Sequence, residues 1–144
     1  MTRIAINGSK GKMGQTLIEA VHSNSKTEFG AGLDKEDKLE DQLDNFDVLI
    51  DFSRPEASLD AISICKDSGK AMVIGTTGFS DNELDFIQQT SKEIPIVFAP
   101  NMSVGVNLTL KILETSAKVI GPDSSIEIIA VSYTHLTLPT SYAV

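Results

Sequence analysis

Several residue types are scarce in this sequence of 144 residues, and each scarcity excludes a class of protein. A single cysteine allows neither an internal disulfide nor a metal site built from several thiolates. The 12 basic side chains stand against 20 acidic ones, so the net charge of −8 leaves no basic surface for binding nucleic acid. Apolar runs are only a few residues long and no signal-peptide core is present. We therefore expect a soluble, cytoplasmic protein without a membrane partner.

What the chain does contain is enough apolar material, 41% of its residues, for the core of one domain. Short apolar runs alternate with segments of helical period, which is typical of a parallel sheet with helices packed on it. The sequence thus predicts an α/β fold, a doubly wound parallel sheet with helices on both faces. The predicted strands are residues 3–7, 27–34, 46–52, 71–74, 94–99 and 125–130. Of these, 46–52 and 94–99 are nearly all apolar and are predicted to lie inside the sheet.

Three positions carry signals for the start of a helix. Ser80 with Glu83 three residues later forms a capping-box pattern, and Pro55 suits the first turn of the helix after the third strand. Ser103 follows the fifth strand and suits either a helix cap or a polar contact with a ligand. These signals place helices after the third, fourth and fifth strands.

The first strand runs into a glycine-rich loop, G-x-x-G-x-x-G, formed by Gly8, Gly11 and Gly14. Glycine permits a tight turn, the approach of a pyrophosphate to the backbone, and close packing of the following helix on the strand. The free N–H groups at the start of that helix favour phosphate, and Lys10 and Lys12 add positive charge. The loop predicts a Rossmann-like dinucleotide site, although glycine also marks ordinary turns between strand and helix.

Asp34 ends the second predicted strand, 20 residues beyond Gly14. Dinucleotide-binding folds place there the carboxylate that binds the adenosine ribose hydroxyls. The adjacent Lys35 can pair with the 2′-phosphate of NADPH, which a carboxylate alone would repel. Asp34 and Lys35 together predict that both NADH and NADPH are accepted; a solvated carboxylate and an unliganded surface lysine are the alternatives.

Polar and small residues also follow the later strands, where ligands of doubly wound folds bind. Gly75, Thr76 and Thr77 follow the fourth strand, where backbone and hydroxyl groups can meet a ribose or a carboxamide, or can form an ordinary turn. Asn101 follows the fifth strand and offers a donor and an acceptor, as a carboxamide requires. These residues are the candidates for the nicotinamide side of the site.

Three other chemically active residues fit structural roles better. Cys65 falls on an apolar helix face and is predicted to be a core residue, and His22 lies in the last turn of the first helix. His135 has no carboxylate or serine at a useful spacing. We therefore predict no catalytic triad, carboxylate pair or metal site, and no catalytic residue within this chain.

Five motifs resemble those of the cofactor-binding domain of the dihydrodipicolinate reductase family of lysine and diaminopimelate synthesis, and they occur in the same order as in that family. They are residues 8–14 (GSKGKMG), 51–56 (DFSRPE), 73–79 (VIGTTGF), 99–107 (APNMSVGVN) and 126–129 (IEII). The resemblance implies hydride transfer from NADH or NADPH to a cyclic, unsaturated dicarboxylate, in a homotetramer. For the cofactor it implies pyrophosphate contacts at Gly8, Ser9, Lys10, Gly11, Lys12 and Met13, and adenosine contacts at Asp34 and Lys35. The implied nicotinamide contacts are Gly75, Thr76, Thr77, Ala99, Pro100, Asn101 and Met102.

The chain departs from the family pattern after residue 130. There the family carries Glu-x-His-His-x-x-Lys, whose histidine and lysine donate the proton and bind substrate, but Ser132, Tyr133 and Leu136 stand at those positions here. We expect residues 1–130 to form the dinucleotide-binding domain and residues 131–144 to be an atypical tail, a truncation scar or read-through segment. The expected function is cofactor binding without catalysis by this chain alone. The alternatives are a stand-alone dinucleotide-binding or redox-sensing module and another nicotinamide-dependent dehydrogenase.

Overall fold

The computed structural model describes residues 1–121, in which strands and helices alternate along the chain. The strands are β1 (Thr2–Asn7), β2 (Thr27–Leu33), β3 (Val48–Asp51), β4 (Ala71–Ile74) and β5 (Ile96–Phe98). The helices are α1 (Lys12–Ser23), α2 (Pro55–Ser68), α3 (Asp81–Thr90) and α4 (Val104–Ile120), with a 3-10 helix at Leu39–Asn45. No helix in this part of the chain is both long and apolar enough to cross a membrane.

The five strands form one parallel sheet in the order β2-β1-β3-β4-β5. The chain goes from β1 outward to β2 on one side, then returns to place β3 on the other side of β1. Asn7, Asp51 and Ile74 stand in register at the carboxyl ends of β1, β3 and β4. The point where the strand order reverses therefore lies between β1 and β3, and ligands of such sheets bind beyond the strand ends there.

The two faces of the sheet bury separate apolar clusters, which confirms helices on both faces. On one face Ile4 and Ile6 of β1 pack with Val21 of α1. On the other, Leu49 of β3 packs with Ile62 of α2, and the cluster extends to α3 and the 3-10 helix. Alternate residues of β1 and β3 supply the two clusters because successive side chains of a strand point to opposite faces. The predicted doubly wound α/β fold is confirmed.

The predicted strands agree with the structure to within two residues at each end, with one difference in placement. Strand β3 lies between β1 and β4, as its apolar string predicts. Strand β5, also predicted inside the sheet, is the outermost strand in residues 1–121, and its Val97 is 59% exposed. Continuous apolar character shows that a strand can be covered on both faces, but it does not determine how many neighbours pair with its edges. The predicted strand 125–130 and tail 131–144 lie outside the described residues.

The predicted helix starts are also present. Pro55 is the first residue of α2, and before α3 the Glu83 carboxylate accepts hydrogen bonds from the Ser80 amide and hydroxyl at 2.6 and 2.8 Å. The chain divides into residues 1–100 and a second unit that begins at Asn101, where Ser103 Oγ accepts from the Val106 amide at 3.4 Å and caps α4. Ser103 therefore has the structural one of its two predicted roles.

Candidate functional site

The glycine loop lies between β1 and α1 and is held by the end of β2. Gly8 has a φ of +80°, which side chains other than glycine rarely adopt, so this residue makes the turn. The amides of Gly8 and Ser9 both donate to the Leu33 carbonyl, at 2.8 and 3.1 Å, and the Gly11 amide donates back to the Gly8 carbonyl at 3.1 Å. The loop is thus fixed by backbone bonds before any ligand binds.

The other two glycines of the loop have different surroundings. A Cβ on Gly14 would lie 2.2 Å from the Gly8 carbonyl oxygen and 2.7 Å from Ser9 Cα, so only glycine allows α1 to pack this closely. A Cβ on Gly11 would meet only that same carbonyl oxygen, at 3.3 Å. Gly11 is exposed and lines a groove. The fold therefore requires glycine at positions 8 and 14. At position 11 it does not, and the absence of a side chain there leaves the backbone open to the groove.

Among residues 1–121, no side chain caps the free amides at the start of α1. Gly11 is the N-cap residue and makes no side-chain hydrogen bond, and the first turn contains no acidic residue. The amides of Lys12, Met13 and Gly14 begin the helix, and the first bond of the helical pattern runs from the Gln15 amide to the Gly11 carbonyl. Lys10, Lys12 and Met13 are exposed beside these amides. This arrangement favours an anionic group such as phosphate.

Asp34 directly follows β2 and binds the glycine loop. Its carboxylate accepts from Ser9 Oγ at 2.6 Å and from the Lys10 amide at 3.2 Å. The Asp37 carboxylate accepts from the Asp34 amide at 2.9 Å, which closes the turn after the strand. Asp34 therefore holds the glycine loop and also lines the groove. Its carboxylate is hydrogen-bonded to the protein and is not simply solvated.

A groove of about 1030 Å³ joins the carboxyl ends of β1, β2 and β3 to one side of α2. Its walls combine an apolar strip with charged residues of both signs, including Lys35, Lys38 and Arg54. Its apolar strip consists of Leu33, Leu39, Phe52, Ala57, Ala61 and Ile64. The groove brings together two distant parts of the sequence that were both predicted to bind the cofactor. They are the glycine loop, at Gly8 and Gly11, and the residues after β2, Asp34 and Lys35.

The residues after β4 divide between structural and exposed positions. A Cβ on Gly75 would lie 2.2 Å from the Phe52 ring, so this glycine makes room for an aromatic side chain. Thr76 is 4% exposed, and its hydroxyl donates to Asp51 and accepts from the Ser53 amide. Thr77 is exposed. The expected hydroxyl contact with a ligand is thus open to Thr77, while the Thr76 hydroxyl is already bonded within the protein.

The predicted residues after β5 lie at the boundary of the two units. The Ala99 amide donates to the Ile74 carbonyl at 3.2 Å, which continues the β4–β5 ladder, and Pro100 is exposed. Asn101 and Met102 begin the second unit, where Asn101 Oδ1 accepts from the Ser103 amide at 2.9 Å. The predicted role of these four residues on the nicotinamide side stays a prediction.

Two residues of the motif at 51–56 were assigned no role from the sequence, although the fold brings them to the site. Asp51 ends an apolar strand and is fully buried at the point where the strand order reverses. Arg54 lies at the N-cap of α2, is exposed, and lines the same groove as Asp34 and Lys35. The signal for both was their position directly at a strand end, the same signal that selected Gly75 and Asn101.

The remaining candidates have structural roles. Cys65 is buried, and this burial raises the pKa of its thiol to about 12, which fits a core residue and not a nucleophile. The ring of His22 lies 5.7 Å from that of Phe29, at the end of α1. Within residues 1–121 no three His, Cys, Asp or Glu side chains are grouped as metal ligands.

A parallel sheet with a glycine loop at its switch point, an uncapped helix start and an acidic residue after the second strand defines a Rossmann-like α/β domain. A family model described as "Dihydrodipicolinate reductase, N-terminus" matches residues 2–102, and the chain belongs to this family.

Individual relatives agree with this assignment. Proteins named 4-hydroxy-tetrahydrodipicolinate reductase from Hahella chejuensis and Pseudomonas fluorescens are each 44% identical to it, over 90% and 94% of this chain. The chain spans 57% and 59% of the lengths of these two relatives. The solved structure of a dipicolinate-bound dihydrodipicolinate reductase from Paenisporosarcina sp. TG-14 superposes with a TM-score of 0.66 at 29% identity, covering 81% of this chain and 54% of that one.

Proposed function

We propose that this chain binds NADH or NADPH and serves as the nucleotide-binding part of a 4-hydroxy-tetrahydrodipicolinate reductase. The observation that carries the proposal is the open backbone at Gly11, where an uncapped helix start meets the groove that also holds Asp34 and Lys35. Glycine serves as an N-cap to within a few tenths of a kcal/mol of a polar residue, so the fold loses little stability by leaving the amides at the start of α1 free for a ligand.

The pyrophosphate is proposed to lie across the glycine loop. The amides at the start of α1 donate to it, and the exposed side chains of Lys10 and Lys12 add positive charge in an otherwise acidic chain. Gly8 and Ser9 use their amides to hold the loop on Leu33, so they shape the site more than they contact the ligand. Met13 contributes its amide while its side chain is 49% exposed.

The adenosine half is proposed to occupy the groove between the end of β2 and α2. Its apolar wall at Ala57, Ala61 and Ile64 suits the face of an adenine ring, and Asp34 suits the ribose hydroxyls. Lys35 lines the same groove and is proposed to pair with a 2′-phosphate. Because an acid and a base stand side by side, we propose that both cofactors bind.

The nicotinamide half is proposed to lie toward β4 and β5. Gly75, Thr76 and Thr77 are proposed as contacts after β4, and Ala99 and Pro100 as contacts after β5. Asn101 and Met102 are proposed on the family resemblance. When bound, the cofactor supplies a hydride. The residues of this chain bind and orient the dinucleotide, and no proton donor is assigned among them.

We further propose the division of the chain into a nucleotide-binding domain at residues 1–130 and an atypical tail at 131–144. The substrate of the longer protein is proposed to be a cyclic, unsaturated dicarboxylate of lysine and diaminopimelate synthesis. It is proposed to act in the cytoplasm as a homotetramer. The family membership and the 44% identity to curated reductases support the proposed substrate class.

Isothermal titration of the 144-residue chain with NADH and with NADPH tests cofactor binding directly. Binding of either at millimolar concentration or below is expected, and absence of both would refute the proposal. The reductase assignment is tested by joining residues 1–130 to the C-terminal part of the Hahella chejuensis relative. The chimaera should oxidise NADH or NADPH when supplied with the dicarboxylate substrate and should be a tetramer by light scattering. A folded, cofactor-binding chimaera without this activity would contradict the assignment.

Replacing the two residues after β2 should change the cofactor preference in opposite directions. Asp34→Ala should weaken NADH by about tenfold, and NADPH less, since a hydrogen bond to a charged group contributes roughly 1.5–3 kcal/mol. Lys35→Ala should weaken NADPH more than NADH, because the cation pairs only with the additional phosphate. Calorimetric titration of each variant with both cofactors gives the four ratios.

Ser9→Ala is the matched control for Asp34→Ala, since it removes the 2.6 Å bond between Ser9 Oγ and Asp34 but leaves the carboxylate in place. We expect it to weaken both cofactors equally. An equal effect of Asp34→Ala on NADH and NADPH would mean that Asp34 acts through the loop and not on the ribose.

A further inference from the structure

Asp51 is a fully buried carboxylate whose hydrogen-bond donors all come from uncharged side chains. Its Oδ1 accepts from Asn7 Nδ2 at 2.8 Å and from Ser53 Oγ at 2.6 Å. Its Oδ2 accepts from Thr76 Oγ1 at 2.9 Å and from the Ser58 hydroxyl. These donors belong to the end of β1, the loop after β3, helix α2 and the loop after β4, so one carboxylate joins four parts of the fold near the switch point.

The direction of the hydrogen bond between Thr76 and Asp51 follows from the Ser53 amide, which can only donate. Thr76 Oγ1 accepts from this amide at 3.0 Å, so its own proton is free to be donated to Asp51. The bond from the Ser53 amide ties the loop after β4 to the loop after β3. The Asn7 amide is oriented in the same way, with Nδ2 toward the carboxylate and Oδ1 away from it.

Burying a carboxyl group with no cation beside it costs free energy. Packing of β3 alone does not require such a group at this position. An apolar residue of similar size would continue the core of β3, where Leu49 on the same face is also fully buried. What an apolar residue could not do is hold two loops by their polar groups. Those loops flank the crevice at the point where the adenosine half of a dinucleotide gives way to the nicotinamide half.

We propose that Asp51 is a positioning residue for the nicotinamide half of the cofactor, acting through Thr76 and Ser53. The inference rests on the dinucleotide-binding function proposed above. Through Thr76, Asp51 fixes the backbone of residues 75–77 relative to the loop at residues 52–54. The main chain adds to this link, since the Gly75 amide donates to the Asp51 carbonyl at 2.9 Å. The adenosine half is bound by other residues, chiefly Asp34 and the walls of the groove.

The test compares NADH with ADP-ribose, which has the adenosine and pyrophosphate groups but no nicotinamide. Calorimetric titration of the 144-residue chain should show NADH binding more tightly than ADP-ribose. Asp51→Asn keeps the size of the side chain but gives it a donor, so it can no longer accept from all four groups. We expect the Kd for NADH to rise about tenfold, as for loss of a hydrogen bond to a charged group, while that for ADP-ribose changes by less than about twofold.

A second pair of variants tests the same link without altering the buried charge. Thr76→Val keeps the shape of the side chain but removes the hydroxyl between Asp51 and the Ser53 amide, and should reproduce the selective loss of NADH affinity. Thr76→Ser keeps the hydroxyl and should recover most of the NADH affinity that the valine variant loses. Asp85→Asn, at an exposed position of α3, changes the net charge as Asp51→Asn does and should alter neither affinity. If Asp51→Asn does not fold, the comparison of valine with serine at 76 decides the matter.

Each failure has its own signature. A wild-type chain that binds neither ligand refutes the dinucleotide-binding function. A wild-type chain that binds both equally, or folded variants in which both affinities fall together or neither falls, refutes the positioning role of Asp51 and leaves the binding function standing.

Discussion

Gly11→Val should abolish binding of NADH and NADPH while the fold survives. The backbone at Gly11, with φ −72° and ψ 165°, is open to any residue, and a Cβ there meets only the Gly8 carbonyl oxygen, at 3.3 Å. Valine at this N-cap should cost about 1 kcal/mol of the free energy of unfolding. Its methyl groups would stand over the amides of Lys12 and Met13, where the pyrophosphate must come within hydrogen-bond distance of the backbone.

We expect the affinity for either cofactor to fall more than about 100-fold, which corresponds to roughly 2.7 kcal/mol. Calorimetric titration measures binding, and urea denaturation of the same preparation measures stability. Gly69→Ala is the matched control. Gly69 ends α2 with a φ of +67°, so the substitution should lower the stability of the protein, and Gly69 does not line the groove. It should bind NADH as the wild type does. Equal losses of binding and stability in Gly11→Val would contradict the assigned pyrophosphate site.

Gly14→Ala should destabilise the protein strongly, although helix propensity predicts the opposite. Alanine favours a helix interior by about 1 kcal/mol over glycine. Here, however, its Cβ would lie 2.2 Å from the Gly8 carbonyl oxygen and 2.7 Å from the Cα and carbonyl oxygen of Ser9, all of them backbone atoms. The loop cannot yield, since the Gly8 and Ser9 amides are bonded to Leu33. Helix α1 must therefore move off the sheet and expose Val21 and its neighbours in the core.

The expected loss is about 3 kcal/mol or more, at or above the upper end of overpacking effects in cores. Urea denaturation followed by circular dichroism measures it. Thr16→Ala is the control on the same helix, at an exposed position where the gain in propensity is not opposed by a clash. It should leave the stability unchanged or slightly raised. A Gly14→Ala variant as stable as the wild type would show that α1 does not pack on the loop as the structure has it.

The order of elements in this fold could be predicted because its signals are local. Strand β4 was predicted to the residue, and Ser80 with Glu83 and Pro55 marked the starts of α3 and α2. The 3-10 helix Leu39–Asn45 was not predicted, because it is short and strongly acidic and only Leu39 is buried. Such a segment has no apolar period to distinguish it from a loop.

The candidate site was predicted in part. Gly8, Gly11, Asp34 and Lys35 were selected by spacing, and the fold brings them into one groove. Asp51 was not selected, because its position at a strand end does not by itself distinguish a buried carboxylate from a solvated one. Its burial arises from the register with Asn7 and from donors as distant in sequence as Thr76. The same holds for Gly75, whose missing side chain makes room for the Phe52 ring.

By itself, the sequence determined the alternation of strands and helices, the glycine loop and the acidic residue 20 positions beyond it. These features depend on periodicity, backbone freedom and capping, which act between residues close together in the chain. Tertiary structure alone decided which glycine makes the turn, which packs the helix and which leaves the backbone open. It also decided that Asp51 is a buried junction and Thr76 its partner. The reason is that burial and hydrogen-bond partnership at strand ends depend on which strands become neighbours, and parallel neighbours are always distant in sequence.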